Sequence, residues 1–229
     1  MVREPWKITR KLFLNEIEVD KLRRFLAAWE KSGIEAATDR VIVETLIGSG
    51  LRNSELCSLR LQDAELSKRA PCLRVVGTPR QDRTVYISQS LRALLKVFIA
   101  RIRPARSHGD ADLTDPAGSF FISDRGRGYD RTSIYRRVVR VLAEAGFGSR
   151  ARVQLLRHTY GYLAYRNTGG NLLFVQRQLG HAHPMVTAVY AEFVDESNSE
   201  LADRADRGAR RERPSKSQRK SGDFDAERE

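Results

Sequence analysis

The sequence contains little cysteine and no long apolar run. None of its 229 residues falls in an apolar stretch of about 18 residues, the length that a membrane helix needs. The leading segment MVREPWKITR lacks the apolar core of a secretory signal. With only Cys57 and Cys72, a disulfide scaffold is excluded, and both are predicted to be small core residues. We therefore predict a cytoplasmic protein without a membrane partner.

The motifs of several enzyme classes are also missing. There is no glycine-rich phosphate loop of the G-x-x-x-x-G-K type. No acidic pair and no Cys or His cluster has the spacing of metal ligands. We therefore expect no metal, nucleotide or other cofactor.

Positive charge is in clear excess. The chain has 41 Lys and Arg against 29 Asp and Glu, a formal net charge of +12. A basic protein gains affinity for polyanions by releasing their counterions, so nucleic acid is the leading candidate partner. The alternative at this point is a basic protein without such a partner.

Apolar periodicity favours helices along most of the chain, with one small β region. Asn15 and Glu18 form a capping-box pattern before an apolar stripe, which predicts a helix at about 16–31. CLRVVG and RTVYIS are rich in β-branched residues and flank a polar turn, which predicts an antiparallel hairpin, and FFIS at 120–123 predicts another strand. The predicted fold class is mainly α with a small antiparallel β-sheet (α+β). Further helices are predicted at 37–49, in SLRALLKVFIARI, at 131–146, and in LLRHTYGYLAY and LLFVQRQLGH.

The composition predicts three parts along the chain. Residues 1–12 form a polar lead, and residues 13–200 carry the apolar periodicity of one compact domain. Residues 201–229 have almost no apolar side chains and many charges of both signs, which predicts a disordered tail.

Three separated segments are informative when they are taken together. They are SGLRNSELCSLR at 49–60, LLRHTYGYLAY at 155–165 and LGHAHPMVTAVY at 179–190. Each is weak alone, because an isolated Arg or Tyr on an apolar helix usually has a packing role. Jointly, GLRNSEL, LRH, LGH and a Tyr further along resemble the tyrosine recombinase family, which includes phage integrases and Xer-type resolvases. The resemblance covers about residues 12–195.

The resemblance implies a catalytic domain at 13–200 that cleaves and rejoins double-stranded DNA at specific sites. In this family the reaction passes through a 3′-phosphotyrosine, needs neither metal nor ATP, and takes place in a homo-oligomer, a tetramer, on DNA. By resemblance Tyr190 is the nucleophile, and Arg52, Arg157 and His181 are catalytic. This assignment is chemically coherent, because guanidinium groups bind the extra negative charge of a pentacoordinate phosphate and an imidazole titrates near neutrality.

Two positions depart from the family pattern. Thr78 stands where the family has a hairpin lysine that protonates the leaving oxygen, and a hydroxyl is a much weaker acid than an ammonium group. Gln154 stands where the family usually has a histidine; it is retained as a catalytic residue that donates a hydrogen bond but cannot titrate. Thr78, Arg80 and Arg83 in the hairpin are predicted to contact DNA.

His158 belongs to the family motif and is predicted to orient its neighbours and to contact DNA. Glu55 is predicted to support the turn that carries Arg52. Because the chain starts close to the catalytic domain, we expect a short family member or a partner that supplies the missing DNA clamp.

Thr78 and Gln154 leave a second hypothesis open. It is a catalytically weakened relative that binds DNA as an accessory or regulatory protein. A topoisomerase or hairpin-forming resolvase with the same covalent chemistry ranks last, because the chain is short for those classes.

Overall fold

The structure is a computed structural model, and it describes residues 9–77, 82–106, 112–183 and 185–193. Thr78 and Arg80 lie outside these residues, and so does the predicted tail at 201–229. The domain boundaries predicted at residues 12 and 200 stay predictions.

Most of the described chain is helical. Within the described residues, no helix is both long and apolar enough to cross a membrane. The α-helices are α1 (Glu16–Trp29), α2 (Ile34–Ser49), α3 (Asn53–Ser58), α4 (Gln89–Val97), α5 (Arg103–Arg106), α6 (Arg131–Leu142), α7 (Val153–Asn167), α8 (Leu172–Leu179) and α9 (Met185–Ala188). Wider π-helical turns extend α4 at Phe98–Ile102 and α6 at Ala143–Phe147, and 3-10 turns lie at Arg10–Leu12, Glu30–Ser32, Leu61–Asp63, Gly148–Arg150 and Ala191–Phe193.

A small antiparallel sheet forms between α3 and α4. Its strands are β1 (Ala64–Glu65), β2 (Cys72–Val75) and β3 (Arg83–Tyr86), in the order β1-β2-β3. The β2–β3 pairing is the predicted hairpin, whereas β1 has only two residues and no sequence pattern predicted it. The predicted fold class, mainly α with a small antiparallel sheet, is confirmed.

The first helix begins where its capping box predicts. The side chain of Asn15 accepts a hydrogen bond from the backbone N–H of Glu18 at 2.9 Å, and the carboxylate of Glu18 accepts one from the backbone N–H of Asn15 at 2.9 Å. These bonds satisfy donors that a helix start leaves free. A further bond, from the backbone N–H of Leu14 to the hydroxyl of Thr159, ties this start to α7.

Helix α2 is the centre of the main core. It contacts α1, α4, α6 and α7, and its apolar side chains point in all directions, as expected of a helix surrounded by others. It ends at Gly50, whose φ of 65° is left-handed. A Cβ atom on Gly50 would lie 2.5 Å from the ring of Tyr160, so both conformation and space require glycine there.

The FFIS segment at 120–123 does not form the strand that its composition predicts, so that prediction is wrong. Its neighbourhood has isolated bridges, one of which pairs Ser119 with Arg60. The buried side chain of Arg103 satisfies the carbonyl of Phe120, the first residue of this segment, and two carbonyls that precede it. Its guanidinium donates to the backbone oxygens of Leu113, Ser119 and Phe120.

A buried carboxylate joins α2 to α6. Asp39 on α2 is 1% exposed, and one of its oxygens lies 2.6 Å from a terminal nitrogen of Arg140. The other lies 2.7 Å from Nε of Arg137. Two arginines on one helix face therefore balance a single buried negative charge.

Replacing Asp39 with Asn should lower the free energy of unfolding by about 3 kcal/mol, because the buried carboxylate that pairs with Arg137 and Arg140 is lost and Arg137, 15% exposed, keeps only Glu35 as an ion-pair partner in the described part of the chain. Urea titration followed by circular dichroism measures this change. The matched control is Arg23→Ala, which breaks the more exposed pair with Glu44 and should cost under about 1 kcal/mol. Equal losses in the two variants would contradict the assignment.

Candidate active site

Arg157 connects the ends of three helices. It lies in the first turns of α7 and is 4% exposed. Its Nη1 donates to the backbone oxygen of Gly50, the residue that follows α2, at 2.6 Å. Its Nη2 donates to the backbone oxygen of Leu179, the last residue of α8, also at 2.6 Å. Burial, and then the nearby charge of Arg52, lower the pKa of Arg157 to about 10, so the guanidinium is charged at neutral pH.

Arg52 directly follows the turn at Gly50 and caps α3. Its backbone N–H and its Nη1 both donate to the carboxylate of Glu55, each at 2.7 Å. A longer contact of 3.4 Å joins its Nη2 to the backbone oxygen of Gly180. The side chain is 42% exposed, so Arg52 reaches the surface beside the buried Arg157.

Glu55 also pairs with Arg83 on β3. The two terminal nitrogens of Arg83 donate to the two carboxylate oxygens of Glu55, each at 2.8 Å. Burial alone would raise the pKa of Glu55, but the hydrogen bonds from Arg83 and Arg52 outweigh it and hold the pKa at about 2. Glu55 therefore supports the Arg52 turn, and the guanidinium of Arg83, predicted as a DNA contact, is directed at this carboxylate.

His181 follows the left-handed turn that ends α8. Gly180 makes this turn with a φ of 63°, and Nδ1 of His181 lies 2.9 Å from the hydroxyl of Thr187. Burial, followed by the charges of Arg157 and Arg52, lowers the pKa of His181 to about 4. The imidazole is therefore neutral at neutral pH.

Tyr190 lies in a second apolar cluster and is only 1% exposed. Its hydroxyl is 3.1 Å from Nδ1 of His158. The ring rests on Gly161 of α7, where a Cβ atom would lie 2.6 Å from the hydroxyl oxygen. Burial raises the pKa of Tyr190 to about 12, although the charge of Arg157 opposes the rise.

His158 joins the predicted residues on α7 to the tyrosine. Its Nδ1 faces Tyr190, while its Nε2 lies 3.4 Å from Nε2 of Gln154, one turn earlier in the helix. Burial, and then the charges of Arg157 and Arg152, lower the pKa of His158 to about 4. A neutral imidazole can accept the phenol proton in the tautomer whose Nδ1 is unprotonated, in which Nε2 carries the ring hydrogen and does not accept from Gln154.

The structure brings Arg52, Arg157, His181 and Tyr190 to one region, with Gln154 and His158 beside them. Thr78 and Arg80 lie outside the described residues, so no position is given for them. In the part of the chain that the structure describes, no three His, Cys, Asp or Glu side chains cluster closely enough to hold a metal ion.

Sequence reasoning missed two neighbours of the site, Thr187 and Gly161. Thr187 has no sequence signal, because its role depends on the bend that brings His181 over α9. Gly161 did have one: glycine in a helix interior costs about 1 kcal/mol relative to alanine, which suggests a close approach at that point.

Known proteins resemble this chain in sequence and in fold. Residues 15–196 match the phage integrase family model. Tyrosine recombinase XerC of Chlorobaculum parvum is 30% identical over 176 residues, which cover 76% of this chain and 51% of that protein. XerC of Lactobacillus delbrueckii subsp. bulgaricus is 28% identical over 152 residues, which cover 66% of this chain and 49% of the relative. The chain thus spans about half the length of these relatives.

A solved structure shares the fold. It is the XerH site-specific recombinase bound to its palindromic difH substrate in a post-cleavage complex, with a TM-score of 0.68 and 21% identity. The match covers 92% of this chain and 58% of that one. Together with the matched model over residues 15–196, these findings show that the chain belongs to the phage integrase family and carries a tyrosine recombinase catalytic domain.

Proposed function

We propose that this chain is the catalytic part of a site-specific DNA recombinase that cleaves and rejoins DNA through a covalent 3′-phosphotyrosine at Tyr190. One observation carries the proposal. The hydroxyl of Tyr190 lies on His158, which directly follows the buried Arg157 in α7. This contact supports a nucleophile beside a base, with the charge of Arg157 close enough to act on Tyr190.

The partner in this proposal is double-stranded DNA. A net charge of +12 favours a polyanion, and XerH, which shares the fold, is bound to a DNA substrate in its solved structure. Strand exchange needs the cleavage of four strands, so we propose that a homotetramer assembles on DNA.

The proposed chemistry is a transesterification. The phenol oxygen of Tyr190 forms a bond to phosphorus while the bond to the 5′ oxygen of DNA breaks. His158 accepts the phenol proton, and the leaving 5′ oxygen takes a proton from water, since Thr78 stands where the family has the lysine that donates it. Arg52 and Arg157 stabilise the negative charge that develops on the phosphate, a task that guanidinium groups perform in a bidentate manner. The phosphotyrosine conserves the energy of the broken bond, so rejoining needs neither ATP nor a metal ion.

Gln154 and His181 have supporting roles in this proposal. Gln154 can donate to a phosphate oxygen, as a histidine would, but independently of pH. His181, held through its Nδ1 by Thr187, can present its other ring nitrogen to the same phosphate.

Replacing Tyr190 with Phe should abolish the covalent protein–DNA adduct while DNA binding is retained, because only the attacking hydroxyl is removed. A library of nicked duplexes of randomised sequence traps the adduct, and mass spectrometry locates the modified tyrosine. The matched control is Tyr162→Phe, since Tyr162 is also buried on the aromatic cluster but its hydroxyl contacts Arg166.

An adduct that persists in the Tyr190→Phe variant, or that maps to another residue, would rule out this nucleophile. Binding to DNA without any adduct from the unaltered chain would instead favour the second hypothesis, a DNA-binding accessory protein, for which Thr78 and Gln154 were the motivation.

Replacing Arg157 with Lys should slow adduct formation by roughly 10²–10³-fold, because an ammonium group cannot hold two carbonyls and a phosphate in one plane. The rate of adduct formation at saturating DNA measures the effect. Arg166→Lys on the same helix is the control and should change the rate by less than about twofold. Similar rates in both variants would remove Arg157 from the mechanism.

The lowered pKa values of His158 and His181 predict that the folded chain loses stability in acid. Their pKa values of about 4 in the folded chain lie below the value of about 6.5 for an exposed histidine, so the unfolded chain binds more protons between these limits. The thermal midpoint should therefore fall as the pH decreases from about 6.5 through 4. The double variant His158→Gln/His181→Gln should flatten this fall, whereas His183→Gln, at an exposed position, should leave it unchanged. An unaltered slope in the double variant contradicts the prediction.

A further inference from the structure

Every acceptor position of the Glu55 carboxylate is filled. Arg52 supplies two hydrogen bonds, from its backbone N–H and from Nη1, and Arg83 supplies two more, from Nη1 and Nη2. A carboxylate offers about four such positions. The two arginines therefore share one saturated counter-ion.

Arg83 is held firmly on its other side as well. Its Nε donates to the backbone oxygen of Gln178 at 2.9 Å, and its side chain is only 10% exposed. The side chain of Arg83 packs on Gly180: a Cβ atom at position 180 would lie 2.9 Å from Cδ of Arg83. Arg83 thus connects β3 to α3 and to the turn before His181.

Arg52 is bound differently by the same carboxylate. Its guanidinium has one hydrogen bond to Glu55, and its contact with Gly180 is long, at 3.4 Å. An arginine beside a free carboxylate favours a bidentate pair, in which two parallel N–H groups point at the two oxygens. Arg52 does not make this pair: its Nη1 reaches Oε1, while Oε2 already accepts from Arg83 and from the backbone N–H of Arg52 itself.

We propose that Arg83 is a positioning residue that saturates Glu55 and thereby leaves part of the Arg52 guanidinium free to bind a phosphate. Without the Arg83 guanidinium, Arg52 turns onto Glu55 and its remaining N–H groups are lost to the ligand. The inference rests on the proposed function only in taking Arg52 as a phosphate ligand. This role differs from the direct DNA contact predicted for Arg83 from the sequence.

The test variant is Arg83→Lys, which keeps the charge but cannot bind both oxygens and Gln178 at once. Inorganic phosphate is titrated into the full chain, and the Nε–H resonance of Arg52, assigned with Arg52→Lys, reports binding by NMR. We expect Arg83→Lys to weaken phosphate binding at Arg52 by about fivefold or more. The control Arg177→Met removes a cation of the same surface groove and should change the affinity by less than about twofold.

The double variant Arg83→Lys/Glu55→Gln separates positioning from simple damage. A neutral amide does not attract Arg52 as a carboxylate does, so phosphate affinity should return to the unaltered level or above it. A fold weakened by lost packing would bind no better in the double variant than in the single one. The proposal is overturned if Arg83→Lys binds phosphate as the unaltered chain does, if the double variant stays weak, or if phosphate does not shift the Arg52 resonance in the unaltered chain.

Phosphate binding involves no covalent step, so this result is independent of the proposed recombinase activity. If no Tyr190 adduct forms but phosphate affinity changes as expected in the Arg83 variants, the activity is rejected and the role of Arg83 stands. If the adduct forms normally but Arg83→Lys does not change phosphate affinity, the role of Arg83 is rejected and the recombinase activity stands.

Discussion

The site depends on the two hydrogen bonds by which Arg157 holds the carbonyls of Gly50 and Leu179. Each carbonyl ends a helix, where the backbone has acceptors without helical partners. A buried guanidinium satisfies both and in doing so fixes the turns that carry Arg52 and His181. Three segments that are distant in the chain are therefore placed by one side chain, whose charge is also the one that a phosphate would meet.

The electrostatic character of the site follows from an imbalance of charge. Arg52 and Arg83 bind the carboxylate of Glu55 and Arg157 lies within reach of its charge, so these residues together carry a surplus of positive charge. This surplus and burial together keep His158 and His181 neutral. The site thus combines charged guanidinium groups with uncharged imidazoles, as the proposed reaction at an anionic phosphate requires.

Local patterns in the sequence predicted local structure well. The capping box at Asn15 and Glu18 gave the start of α1, and two β-branched segments gave the β2–β3 hairpin, because both signals act within a few residues. The strand predicted at 120–123 failed because its backbone bonds to loop and side-chain partners instead: the carbonyl of Phe120 accepts from Arg103, and the N–H of Phe120 donates to the carbonyl of Leu59. For the same reason the sequence could name the residues of the site but could not reveal the contact of Arg83 with Glu55, because it joins positions 28 residues apart through the fold.

The contact between Gly161 and Tyr190 ties together two positions that are far apart in the chain. The ring occupies the volume that any side chain at 161 would need. A residue larger than glycine fits at position 161 only if residue 190 is smaller than tyrosine or if the backbone after α9 follows a different path. The two positions are therefore expected to change together between relatives. A relative with a residue larger than glycine at the position of Gly161 is expected to hold its tyrosine ring in a different place.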